Sequence, residues 1–62
     1  MSPLPFYREQ AERQQSAADE ATLENVRARC QRAADAWTAL ADRSERAERA
    51  REQAAATKAA EA

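Results

Sequence analysis

No glycine occurs in this chain, and its two prolines stand at positions 3 and 5. Eighteen of the 62 residues are alanine, the residue with the highest helix propensity. The few β-branched residues are scattered and do not alternate with polar ones, so no strand is predicted. The sequence therefore predicts an all-α protein in which nothing after residue 5 breaks a helix.

Small and apolar residues recur along residues 23–54 at alternating steps of three and four. This spacing is typical of a helix-packing seam. It predicts a long helix over about 23–56, whose large side chains end at Leu40. The members of the stripe are Leu23, Val26, Cys30, Ala33, Trp37, Leu40, Ser44, Ala47, Arg51 and Ala54.

A second and poorer stripe with the same spacing precedes the first. Pro5 suits the first turn of a helix, so we expect this helix over about 5–20. The segment 19–22 is the expected turn, with Thr22 as the N-cap of the second helix. These patterns predict a two-helix antiparallel hairpin with a longer second helix. The members of the second stripe are Leu4, Tyr7, Ala11, Gln14, Ala18 and Ala21.

A hairpin that turns at residues 21 and 22 places Tyr7 opposite Trp37 and Leu4 opposite Leu40. Ala11 then faces Ala33, nearer the turn. Both stripes carry their large residues at the open end, where we expect an aromatic cluster that includes Phe6. On this interpretation the large side chains of the second helix stop at Leu40 because the first helix has no further residue to cover them.

A chain of 62 residues with nine large apolar side chains buries too little surface for a comfortably stable monomer. We therefore expect a non-enzymatic structural or protein-interaction module that forms a homodimer with a four-helix arrangement. The predicted self-association surface consists of Tyr7, Val26, Cys30, Trp37 and Leu40.

The segment 43–62 is predicted to be a charged helical extension with a frayed end, within a single small domain over 1–62. The alternative function is an adaptor that binds another protein or nucleic acid through residues 42–52. The predicted partner surface consists of Arg43, Arg46 and Arg49. A net charge of −1 argues against nucleic acid as the partner.

One cysteine and no histidine argue against a metal site or an activated thiol, and the absence of glycine argues against a phosphate loop. We expect no catalytic, cofactor-binding or metal-binding residue, and no enzyme. Catalysis would require a pocket formed between subunits. No apolar run predicts a membrane span or a signal peptide, so we expect a cytoplasmic protein.

Through three short motifs, the sequence resembles short, uncharacterised alphaproteobacterial proteins that look like helical hairpins. The motifs are Tyr7-Arg8, Ala21-Thr22 with Val26-Arg27, and the segment 34–41 around Trp37. The likeness covers residues 6 to about 42. It implies a helical hairpin and brings no activity with it.

Overall fold

The computed structural model describes residues 2–61 and contains two α-helices. Helix α1 spans Leu4–Glu20 and helix α2 spans Glu24–Glu61. The predicted all-α hairpin with a longer second helix is confirmed. Its extents of 59 × 16 × 12 Å describe a rod. The radius of gyration is 16.5 Å, whereas a globular domain of this length would have about 11 Å.

Helix α1 begins one residue before the expected position. Leu4 is its first residue and Pro5 its second, where a missing backbone N–H leaves no hydrogen bond unmade. Pro3 occupies the N-cap position, and its carbonyl accepts a hydrogen bond from the N–H of Tyr7 at 3.1 Å. The hydroxyl of Ser2 accepts from the N–H of Leu4 at 3.2 Å and satisfies a second free donor of the first turn.

The connection between the helices is short and is fixed by backbone groups. Ala21 is extended, with φ −69° and ψ 133°, and its N–H donates to the carbonyl of Ala18 at 3.3 Å. The carbonyl of Leu23 accepts from the N–H of Arg27 at 3.0 Å. Leu23 therefore holds the N-cap position of α2, and the prediction that Thr22 would do so is wrong by one residue.

Three alanines form the contact between the helices: Ala18, Ala34 and Ala41 are 1%, 2% and 0% exposed. Ala18 belongs to the predicted stripe of α1. In α2 the buried alanines each follow a predicted stripe member, Ala33 or Leu40, by one residue, so the contact face is turned from the predicted stripe toward the following residues. Helices approach closest through small side chains. The large side chains of α2 consequently lie beside the contact, and Leu40 remains 38% exposed.

Contacts from the N-terminal part of the chain reach α2 beyond Leu40. The guanidinium of Arg8 reaches Glu45, and Pro3 lines a shallow groove together with Ala47. The explanation that the large side chains of α2 stop at Leu40 because α1 ends there stays a prediction. Helix α2 continues beyond the expected end near residue 56 to Glu61, and every residue in 49–61 is exposed. Fraying of this end stays a prediction.

Replacement of Ala41 by leucine tests the alanine contact. Because Ala41 is fully buried, A41L should force the helices apart and lower the free energy of unfolding by about 1 to 3 kcal/mol. The matched control is A39L, since Ala39 is exposed on the same helix. Urea denaturation followed by circular dichroism at 222 nm measures both variants. Equal stabilities of A41L and A39L would contradict the proposed role of the contact.

Candidate functional site

The hairpin has two long flanks, one on each side of the alanine contact, and they differ in chemistry. The first, here called the polar flank, carries charged and amide side chains from both helices. Hydrogen bonds and ion pairs join most of them. Asp19, Arg27 and Gln31 also line one surface depression. The polar flank consists of Arg8, Gln15, Asp19, Arg27, Gln31, Asp35, Asp42 and Glu45.

A reciprocal pair of amides joins the helices near the turn. Gln15 Nε2 donates to Gln31 Oε1 at 3.0 Å, and Gln31 Nε2 donates back to Gln15 Oε1 at 2.9 Å. Each amide also donates to a carboxylate four residues further along its own helix, at 3.0 Å to Asp19 and 3.0 Å to Asp35. Every N–H of the two amides is thereby satisfied. This network sets the register of the hairpin on the polar flank.

Arg8 makes the ion pairs between the helices at the open end. Its Nη2 lies 2.6 Å from Glu45 Oε2 and its Nη1 lies 3.4 Å from Asp42 Oδ1. Glu45 in turn accepts from Arg49 on its own helix. At the turn end Arg27 Nη2 donates to the carbonyl of Ala21 at 3.1 Å. Arginine side chains on the polar flank thus tie the helices together at both ends of α1.

The opposite flank, here called the apolar flank, carries aromatic and aliphatic side chains. The ring of Trp37 stands edge-on to that of Phe6, with centroids 5.7 Å apart and an interplanar angle of 88°. Tyr7 lies 5.9 Å from Trp37, as the predicted register requires. Helical spacing from Trp37 adds the remaining members on α2. The apolar flank consists of Pro3, Phe6, Tyr7, Val26, Cys30, Trp37, Leu40 and Ala47.

The five predicted self-association residues all lie on the apolar flank, and none of them is buried in the single chain. Leu40 is exposed, and the other four are half-buried. The thiol of Cys30 is free. Sequence reasoning placed Phe6 in the aromatic cluster but left it out of this surface. Phe6 is 53% exposed, and its position next to Tyr7 was the signal.

The three predicted partner-surface arginines are all exposed, and their surroundings differ. Arg43 lines the groove beside Tyr7 at the edge of the apolar flank. Arg49 pairs with Glu45. Arg46 makes no ion pair within residues 2–61. The inter-helix roles of Arg8 and of the two glutamines were missed, because a pattern of apolar residues carries no information about polar partners.

Within residues 2–61 no group of three or more histidine, cysteine, aspartate or glutamate side chains is arranged to hold a metal ion. In the same part of the chain, neither helix has the length and apolar character needed to cross a membrane. Comparison of the chain with protein-family models, curated proteins and solved structures found no significant match. The resemblance to alphaproteobacterial hairpin proteins stays a prediction.

Substitution of Arg8 tests the ion pairs of the polar flank. Arg8 and its two partners are all partly exposed, so R8A should lower the free energy of unfolding by less than about 1 kcal/mol. The matched control is R13A, because Arg13 pairs only with Glu9 on its own helix. Urea denaturation should show a larger loss for R8A than for R13A at low salt. About 1 M NaCl should shrink the difference through screening, and a difference that grew with salt would contradict this assignment.

Proposed function

We propose that this protein is a non-enzymatic interaction module that acts in the cytoplasm and forms a homodimer through its apolar flank. The observation that carries the proposal is the asymmetry of the two flanks. Hydrogen bonds and ion pairs between the helices occupy the polar flank, whereas the apolar flank presents large side chains to solvent. Exposed apolar patches of this kind mark interaction surfaces in soluble proteins.

The accessible surface of the chain supports this proposal. It measures 4944 Å², whereas a compact monomer of 6.9 kDa would expose about 4,000 Å². The excess of about 900 Å² matches the roughly 800 Å² that each partner contributes to a standard protein interface. Burial of this area against a second molecule would bring the accessible surface of the chain into the range of a compact monomer.

The small core supports it as well. Three alanines are the buried residues within residues 2–61, and burial of three methyl groups contributes about 2 kcal/mol. Typical domains are stable by about 5 to 15 kcal/mol. A net charge of −1 brings little repulsion between two copies of the chain. Self-association therefore supplies apolar burial that the hairpin alone lacks, at little electrostatic cost.

Replacement of Leu40 by glutamate tests the proposed dimer. Leu40 is exposed in the single chain, so L40E should leave the hairpin folded. A carboxylate inside the interface would have to be desolvated, which should raise the dimer dissociation constant at least tenfold. Sedimentation equilibrium over a range of micromolar concentrations measures this constant.

The matched control is A39E, which adds the same charge one residue away, on the outer face of α2. Its dissociation constant should stay within about twofold of that of the unaltered protein. A well-folded monomer at micromolar concentration in the unaltered protein would sink the proposal, and so would equal effects of L40E and A39E.

A second candidate is an adaptor that uses residues 42–52 to bind another protein of acidic surface. It is favoured by the exposed guanidinium of Arg46 and by the solvent-exposed helix that follows it. Asp42 and Glu45, the acidic residues of this segment nearest to α1, are engaged by Arg8. Arg46 therefore presents its positive charge to solvent, beside the ion pair of Arg49 with Glu45.

The double variant R46A/R49A tests the adaptor. If the adaptor function exists, this variant should lose partners that the unaltered protein captures from its native cell extract, while its dissociation constant as a dimer stays unchanged. The control is R13A, because Arg13 is an exposed arginine of α1 that lies outside the segment. Identical partners for R46A/R49A and R13A would exclude this use of residues 42–52.

A further inference from the structure

The last helical turns of α2 present a stripe that α1 does not cover. Residues 49–61 are exposed, yet the spacing of three and four continues through Ala47, Arg51 and Ala54. Leu23, the N-cap residue at the other end of α2, is 64% exposed. The stripe is therefore open at both ends of α2.

We propose that a second copy of this chain covers the stripe by packing its own α2 antiparallel to the first, with the two-fold axis midway between Trp37 and Leu40. This inference rests on the proposed homodimer and specifies its geometry. Counted in either direction from that axis, the stripe has the same alternating steps of three and four residues. Each stripe member therefore faces a stripe member of the partner. Trp37 then contacts the partner's Leu40, and Leu40 contacts the partner's Trp37.

Side-chain sizes fit this register. The two largest residues of the stripe lie at the centre of the interface, where energetically dominant residues are usually found. Ala33 faces the partner's Ser44, and Cys30 faces the partner's Ala47, so small residues meet small ones on either side. At the ends Leu23 and Val26 are covered by the exposed end of the partner's α2. The partner's Ala54 lies against Leu23, and the aliphatic stem of the partner's Arg51 lies against Val26.

The charges that border the stripe also fit. Arg29 lies across from the partner's Ala50, and Arg43 across from the partner's Ala36. In this arrangement neither Arg29 nor Arg43 faces a charged residue of the partner's α2. A parallel dimer in the same stripe would instead bring Arg51 against the partner's Arg51, which is repulsive.

The interface is large enough for a specific dimer. The stripe from residue 23 to residue 54 is about 48 Å long, and a helix face is about 10 Å wide, which gives about 500 Å² for each copy. The total of about 1,000 Å² reaches the minimum expected of a biological interface before the rings of Phe6 and Tyr7 are counted. These two rings lie beside Trp37 and extend the surface onto α1.

Cysteine cross-linking tests the register, because Cys30 is the single cysteine of the chain. A disulfide requires Cα atoms within about 7 Å. In the proposed dimer the variant A47C places the new thiol against the partner's Cys30, whereas Cys30 and the partner's Cys30 are about 25 Å apart along the axis. Mild oxidation with diamide should therefore convert A47C to a covalent dimer at least tenfold faster than it converts the unaltered protein. Gel electrophoresis without reductant measures the rate.

The matched control is A54C, which adds a thiol to the same stripe one heptad further along. It should cross-link no faster than the unaltered protein, and C30S/A47C should also fail to cross-link rapidly.

Faster cross-linking of A54C than of A47C would overturn the register. Rapid cross-linking of the unaltered protein through Cys30 would indicate a parallel dimer and overturn the geometry. Slow cross-linking of all variants, with a dimer in sedimentation, would overturn this geometry and leave the proposed dimer standing. A monomer in sedimentation would overturn both.

Discussion

The contact among Ala18, Ala34 and Ala41 determines the rest of this structure. Because these side chains are small, the helices pack closely, and there is no room for a large side chain between them. Trp37 and Leu40 are therefore displaced to one flank, and the charged and amide groups occupy the other. The unequal flanks, the thin rod and the large accessible surface all follow from a core that contains alanine alone.

The polar flank sets the register of the helices, and the apolar flank offers apolar surface for burial. In a larger protein a single core would serve both purposes. Reciprocal amides and arginine ion pairs on the polar flank fix which residues of the two helices lie opposite each other, although exposed pairs of this kind contribute little stability. Apolar burial is what contributes stability, and the single chain leaves part of it unused. The polar flank thus sets the register within the hairpin, and the proposed dimer would add the apolar burial that the single chain lacks.

Helix content, the number of helices and the facing of Tyr7 and Trp37 could be predicted from the sequence, because they depend on propensity and on repeat spacing. The orientation of α2 about its own axis, which decides the residues that face α1, could not be predicted. Ala33 and Ala34 are adjacent apolar residues, and so are Leu40 and Ala41. Analysis of the pattern selects Ala33 because it keeps the spacing, and Leu40 because it also has the larger side chain. Close packing favours the smaller residue when both helices offer alanine. The five residues of the predicted self-association surface still share one flank, because the apolar stripe extends from the contact onto that flank, and self-association itself stays a prediction.

The connection between the helices contains no glycine, and no residue in 2–61 has a positive φ. Reversal of the chain therefore requires no left-handed backbone, and Ala21, Thr22 and Leu23 are all free to adopt helical angles. Straightening this connection would join α1 and α2 into one continuous helix with no steric penalty at any of the three residues. Two straightened chains could then exchange their first helices and rebuild the alanine contact between molecules, which makes this hairpin suited to domain swapping.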